Sequence, residues 1–201
     1  MTLTLFTHPF SRGRIARWML EEVGAAYQIE LVDFDAPRPD ALMRANPMGK
    51  LPTLLDGDTV VTEAAAICVY LADRFPDAGL APRPGETAEF WRWLFFAAGP
   101  LEQAVIANNF NWSYEGREIN VGFGSYERTM DSLETKLDAD DYITGGRFTA
   151  ADVYLAASLG WGMMSDGIPK RPAFEAYAAR CSSRPAAQKA AAADDALAAE
   201  I

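Results

Sequence analysis

The chain has 201 residues, half of them apolar, enough to bury a core of ordinary size in one large domain or two small ones. A formal charge of −10, with 28 acidic against 18 basic residues, argues against a nucleic-acid surface, which needs a basic stripe to displace phosphate counterions. No apolar run reaches the ~18 residues of a membrane span, and MTLTLFTHPF lacks the basic start and long apolar stretch of a secretion signal, so no membrane partner and a cytoplasmic location are expected.

In chain order, Thr2 to Phe6 reads as a short strand ending in a Pro-containing turn. Ile15, Trp18, Met19 and Val23 then recur at helical spacing over Arg12 to Val23, Gly24 stops the helix, and Tyr27 to Val32 gives a second strand. This βαβ unit predicts a parallel pair. A short helix over Asp40 to Ala45 follows, and then Thr53 to Leu55 and Thr59 to Thr62 flank Asp56-Gly57-Asp58, a hairpin signal. Helix returns from Glu63 to about Phe75. Pro76, Gly79, Pro82, Pro84 and Gly85 mark a linker, which sets domain bounds of 1–77, linker 78–86, and 87–201.

Beyond the linker every pattern is helical: Thr87 to Asn109, Ile119 to Leu137, Ala150 to Met164, Ala173 to Cys181 and Ala186 to Ala199. Thr149 and Asp152 have the spacing of a capping box, which predicts a firm helix start there. The fold class is therefore α/β plus all-α, an N-terminal βαβαββα domain followed by a C-terminal helical bundle. The two cysteines, Cys68 and Cys181, form neither a CxxC pair nor a metal cluster, and His8 is the single histidine, so no metal site is expected. Cys68 lies in an apolar helical run and reads as core.

Three stretches taken in order are THPFSRGR at the first turn, NPMGKLPTLLDG followed by TEAAAICVYLADRFP, and FTAADVYLA in the helical part. In these the chain resembles the soluble glutathione S-transferases over essentially its whole length. The resemblance implies a thioredoxin-like first domain, glutathione as co-substrate with no tightly bound cofactor, a small electrophilic second substrate, and a homodimer. It also implies a cis peptide at Leu51-Pro52 that turns the Leu51 backbone toward the tripeptide; proline suits this, because a cis bond costs it only ~0.5–1 kcal/mol. Without the flanking motifs an ordinary trans proline opening an edge strand would be preferred.

By the same resemblance the Glu63 carboxylate receives the γ-glutamyl ammonium and the Ala64 N–H holds its carboxylate, where the family commonly has a serine. The missing hydroxyl would weaken binding by ~0.5–1.5 kcal/mol. Lys50 and Arg38 are candidates for the glycyl carboxylate. Ser11 stands where serine-type members, the phi-like ones among them, aim a hydroxyl at the glutathione sulfur. A free thiol with pKa ~8.5 is largely protonated at neutral pH and needs such help. Serine is equally a good helix cap, and both roles remain open. His8, with Arg12 or Arg14, could add positive potential near the sulfur.

The electrophile pocket is expected to draw on His8, Phe10, Phe110, Trp112 and Tyr114, although aromatics in a helical bundle are commonly core. Two other functions fit the same fold. One is a non-catalytic binding module, which Ala64 modestly favours. The other is a glutathione-dependent reductase or isomerase, and for a reductase Ser11 stands where a cysteine would be expected.

Overall fold

Strand β1 (Leu3–Thr7) alternates, so Leu3 and Leu5 face one side of its sheet and Phe6 the other, and all three are buried. A strand buried on both faces needs helices above and below it. On the Phe6 side, Val32 and Leu42 complete a buried cluster edged by Leu51 and Leu55. The structure is a computed structural model and describes residues 2–201.

After β1 come α1 (Gly13–Glu22), β2 (Tyr27–Leu31), α2 (Asp40–Ala45), β3 (Thr53–Asp56), β4 (Thr59–Thr62) and α3 (Ala64–Arg74). This is the expected thioredoxin-like order. The sheet runs β2-β1-β3-β4, with β1 and β2 parallel and the other pairs antiparallel. Asp56 pairs with Thr59, and Gly57 at φ +60 supplies the left-handed conformation that the tight hairpin turn requires.

The second unit, Pro82–Ser182, contains α4 (Thr87–Phe96), α5 (Glu102–Asn109), α6 (Tyr126–Ala139), α7 (Ala150–Met164) and α8 (Pro172–Ser182). Two sequence expectations are corrected here. The helix expected from Thr87 to Asn109 is two helices joined by a π-turn at Ala97–Leu101, where Pro100 has no N–H to donate to the ladder. The helix expected from Ile119 begins at Tyr126, because Gly124 takes φ +69 and the Ser125 hydroxyl caps the Arg128 N–H at 3.3 Å. Ile119 is left exposed.

Helix α7 is buried nearly all round, and the expected capping box opens it. Asp152 accepts from Thr149 N (2.8 Å) and Thr149 Oγ1 (2.9 Å) on one oxygen, and from Ile143 N (2.7 Å) and the Tyr177 hydroxyl (2.9 Å) on the other. Burial pushes its carboxyl up, and these four donors pull it back toward the ion.

Glu86, just before α4, takes a forked contact from Arg147, with Nε at 2.9 Å from Oε1. That guanidinium and the Arg83 N–H hold the Glu86 carboxyl down at about 2, below its ordinary 4.5. A lowered folded pKa means stability that is present above pH 4.5 and lost as the pH falls toward 2. Glu86→Gln is therefore expected to melt lower than wild type at pH 7, with the gap closing on acidification. Melting curves across that range check this, and a gap independent of pH would remove the ion pair from the acid limb.

The last helix, α9 (Pro185–Ala198), groups with the first unit, which comprises Met1–Ala81 and Ser183–Ile201. The sequence reading placed this helix in the helical domain; its partner is α1. Both helices begin basic and end acidic, so an antiparallel packing matches charge to charge: Glu22 with Arg184 (2.7 Å), Glu21 with Lys189 (2.6 Å), Arg17 with Asp194 (2.9 Å) and Arg14 with Asp195 (2.6 Å). Arg17 and Asp194 are buried, and their contact is electrostatic rather than an aligned hydrogen bond. Burial pushes Asp194 up to about 6 against the pull of Arg17. Among the described residues no helix is long and apolar enough to cross a membrane.

Candidate active site

Strand register decides which loops meet. Thr53 of β3 pairs with Phe6 of β1 on one side and with Thr62 of β4 on the other. One residue further, Thr7, Pro52 and Glu63 therefore leave the sheet along the same edge. Leu31 of β2 pairs with Thr7, and the Val32 N–H reaches the Thr7 carbonyl at 3.0 Å, so the Asp33–Pro39 segment leaves there too. The fold thus gathers the first turn, the Leu51-Pro52 loop, the start of α3 and the Phe34–Arg38 segment at one end of the first unit.

The first turn closes through the Ser11 N–H to the His8 carbonyl at 3.0 Å. The Ser11 hydroxyl donates to that same carbonyl at 2.7 Å and accepts from Gly13 N (2.9 Å) and His8 N (3.3 Å). Its one proton is therefore engaged and its oxygen is held in place. Donation to a ligand thiolate would exchange a neutral acceptor for a charged one, and charge-assisted bonds are roughly twice as strong, so the exchange is favourable.

Beneath this turn lies a residue that the sequence reading left aside. Thr7 is fully buried, and its hydroxyl has no hydrogen-bond partner among the described residues. Gly13 packs directly over it: a Cβ on Gly13 would stand 1.8 Å from Thr7 Oγ1.

His8 is buried and lies flat on Phe34, with ring centroids 3.9 Å apart. Arg38 covers the same Phe34 ring at 5.1 Å and donates to the Asp33 carbonyl at 2.9 Å. Burial holds the His8 imidazole below its ordinary 6.5, with Asp33 and Asp35 pulling it up and Arg38 pushing it down. Phe10 is exposed beside it.

The Leu51-Pro52 peptide is cis, as the resemblance implies. The loop before it is built on Asn46, again a role the sequence reading did not assign. The buried Asn46 amide donates to the Lys50 carbonyl (3.1 Å) and to Thr53 Oγ1 (3.2 Å), and its oxygen accepts from Met48 N (3.2 Å). Thr53 Oγ1 adds a second bond to the Lys50 carbonyl at 3.1 Å. Lys50 is exposed, Leu51 partly so, and Pro52 is buried.

Glu63 is exposed at φ 68, ψ 120, a conformation that costs a non-glycine residue about 1–3 kcal/mol and is kept where the surroundings impose it. Its side chain makes no cap bond, so the first N–H groups of α3 have no side-chain cap there and face an anion's preferred position. Ala64 behind it is buried.

Phe110, Trp112 and Tyr114 belong to the second unit. Phe110 and Trp112 are exposed and stacked at 6.4 Å, whereas Tyr114 sits edge-on to Phe123 at 5.0 Å and its hydroxyl accepts the Tyr126 N–H at 3.4 Å. Tyr114 therefore braces the entry to α6. Cys68 is fully buried, as read from sequence, and burial pushes its thiol far up. Among the described residues no group of three or more His, Cys, Asp or Glu side chains could hold a metal ion.

Comparison with known proteins gives a consistent answer. The family model for the glutathione S-transferase N-terminal domain matches residues 1–73, and that for the C-terminal domain matches residues 118–185. The chain is 30% identical over 172 residues to glutathione S-transferase D7 of Drosophila melanogaster, covering 78% of this chain and 73% of that protein. Among solved structures, a glutathione transferase from Methylococcus capsulatus superposes with a TM-score of 0.80 at 30% identity, over 97% of this chain and 100% of the other. A sphingomonad glutathione S-transferase in complex with glutathione gives 0.76 at 28%, over 96% and 98%.

Proposed function

Because the chain belongs to the glutathione S-transferase family, we propose that it is a cytoplasmic, homodimeric enzyme that joins the glutathione thiolate to small hydrophobic electrophiles. The observation that carries this reading is the meeting of four segments at one edge of the sheet: the Ser11 turn, the cis Leu51-Pro52 loop, the unblocked start of α3 at Glu63, and the Arg38 segment. Together they match a short extended peptide with a carboxylate at each end and a thiol between. Glu63 and the Ala64 N–H take the γ-glutamyl end, the Leu51 backbone pairs with the cysteinyl unit like an added strand, and Lys50 and Arg38 neutralise the glycyl end.

In this reading Ser11 is the catalytic residue, and Phe10 and His8 contribute to the electrophile pocket. Ser11→Ala is expected to lower turnover about tenfold at neutral pH, with little change in the apparent affinity for glutathione. The deficit should shrink as the pH rises and the thiol ionises unaided. A pH-rate profile of both proteins, run with a panel of electrophiles with and without glutathione, is the measurement. Parallel profiles would make Ser11 structural.

A second reading, a binding module without turnover, draws on two features: the engaged Ser11 proton and the alanine at position 64. Retention on immobilised glutathione without turnover of any electrophile would select it.

A further inference from the structure

The Pro9–Phe10 peptide is held at both of its polar atoms, and the two holders are residues of different character. Its carbonyl accepts from Arg14 Nε at 2.6 Å, and its N–H donates to His8 Nδ1 at 3.1 Å. Arg14 in turn spends a terminal nitrogen on Asp195 of α9, also at 2.6 Å. The guanidinium fork thus spans from the last helix to the first turn, and its geometry is fixed at both ends.

Two consequences follow from elementary chemistry. A nitrogen that accepts a hydrogen bond carries no proton, so neutral His8 is held as the tautomer with its proton on Nε2. A cation on the carbonyl polarises the amide and strengthens its N–H as a donor, so Arg14 reinforces the bond to His8 across the peptide. The sequence reading offered Arg14 as positive potential near the sulfur, whereas its nitrogens are engaged with Pro9 and Asp195.

We infer that Arg14, anchored by Asp195, is a positioning residue that fixes the Pro9–Phe10 peptide, the tautomer of His8 and thereby the orientation of the Ser11 turn. Its relevance to turnover rests on the transferase reading above; the link from Arg14 to His8 does not. The charged groups acting directly on the His8 ring are Asp33, Asp35 and Arg38, all from the segment after β2, and Arg14 reaches the ring only through the Pro9–Phe10 peptide.

His8 is the only histidine in the sequence, so imidazole nitrogen NMR of the ligand-free protein reads it without assignment. Wild type should show one tautomer, with Nδ1 unprotonated. Arg14→Met should mix the tautomers and move the titration midpoint up, because the Phe10 N–H that favoured the neutral ring is no longer held and polarised. Asp195→Asn should shift both in the same direction by less, and 1 M salt should partly mimic it, since Asp195 is 67% exposed. With glutathione and an electrophile, Arg14→Met should lose roughly tenfold or more in kcat while KM for glutathione stays close to wild type.

An unchanged tautomer and midpoint in Arg14→Met would overturn the inference, whatever happens to its melting temperature. If that variant does not fold, the same spectra of Asp195→Asn decide, and no movement there overturns it equally. A wild type without turnover would sink the transferase reading and leave the NMR result to judge the linkage alone.

Discussion

Alanine at position 152 is expected to lower the unfolding free energy by about 3–5 kcal/mol, the range for removing one partner from a buried charged network. The carboxylate is fully buried and serves four donors at 2.7 to 2.9 Å. Alanine takes the acceptor from all four at once: it orphans two backbone N–H groups and leaves the Thr149 and Tyr177 hydroxyls to weaker neighbours, Thr144 and Cys181. Each unsatisfied buried donor costs about 1–3 kcal/mol, and partial relaxation keeps the total below their sum. The loss is a large share of the 5–15 kcal/mol that a domain of this kind holds, and it corresponds to a fall in melting temperature of roughly 10 °C. Asp152→Asn keeps the volume but turns two hydrogens toward donors, so it should fall between wild type and alanine. Thermal and denaturant melts of the three proteins are the measurement; a loss below about 1 kcal/mol for alanine would show that the network closes without its centre.

Gly13→Ala should be comparably damaging for a steric reason. The added methyl would lie 1.8 Å from Thr7 Oγ1, 2.8 Å from Thr7 Cβ and 2.9 Å from Ser11 Oγ, all well inside van der Waals contact. Thr7 cannot yield, being fully buried in β1, so α1 must lift from the sheet and take the Ser11 turn with it. A destabilisation of about 3 kcal/mol, at the upper end for overpacking, is expected together with loss of glutathione turnover. The control is Thr7→Ala. Among the described residues the Thr7 hydroxyl has no partner to lose, so this change alone should cost little beyond the lost packing. In the double variant it removes the worst overlap and should recover a good part of the Gly13→Ala loss, a coupling that a double-mutant cycle reads directly. Additive losses would mean that the helix start has room the geometry denies.

Legibility followed the range of the interaction. The strands, the Asp56–Thr59 hairpin, α2 and the Thr149 capping box were readable because each is signalled within a few residues of chain. The helix expected from Ile119 was misread because Val121 and Phe123 extended the apolar pattern while Gly122, Gly124 and Ser125, the stronger signals, were passed over. Pro100 could have warned of the break after α4 in the same way.

At the site, the order of motifs brought Ser11, Pro52 and Glu63 to notice, and strand register explains why they share an edge. Asn46 and Thr7 were not assigned roles and Arg14 was offered a different one, as positive potential near the sulfur, since what they do depends on contacts. Asn46 is read only through the three groups it binds, Thr7 through the glycine above it, and Arg14 through Asp195, 181 residues away. The partnership of α1 and α9 is of the same kind. The matching order of charges along the two helices is visible in the sequence, but nothing in the sequence alone says that they meet.

That partnership sets a schedule for synthesis. The first unit is made in two parts and is completed by α9, with residues 82–182 inserted between the two parts. On a ribosome adding roughly 5–20 residues per second, strands β1 to β4 emerge several seconds before Arg184 and Lys189 exist. During that interval Arg17, Glu21 and Glu22 have no counter-charges from α9, and the face of α1 that α9 will cover stays open to solvent. The helical unit can finish folding while its older neighbour is still incomplete. A nascent chain of this design receives that closing segment only after the whole of residues 82–182, so the turn that carries Ser11 waits for its anchor at Asp195 until the inserted unit has been made.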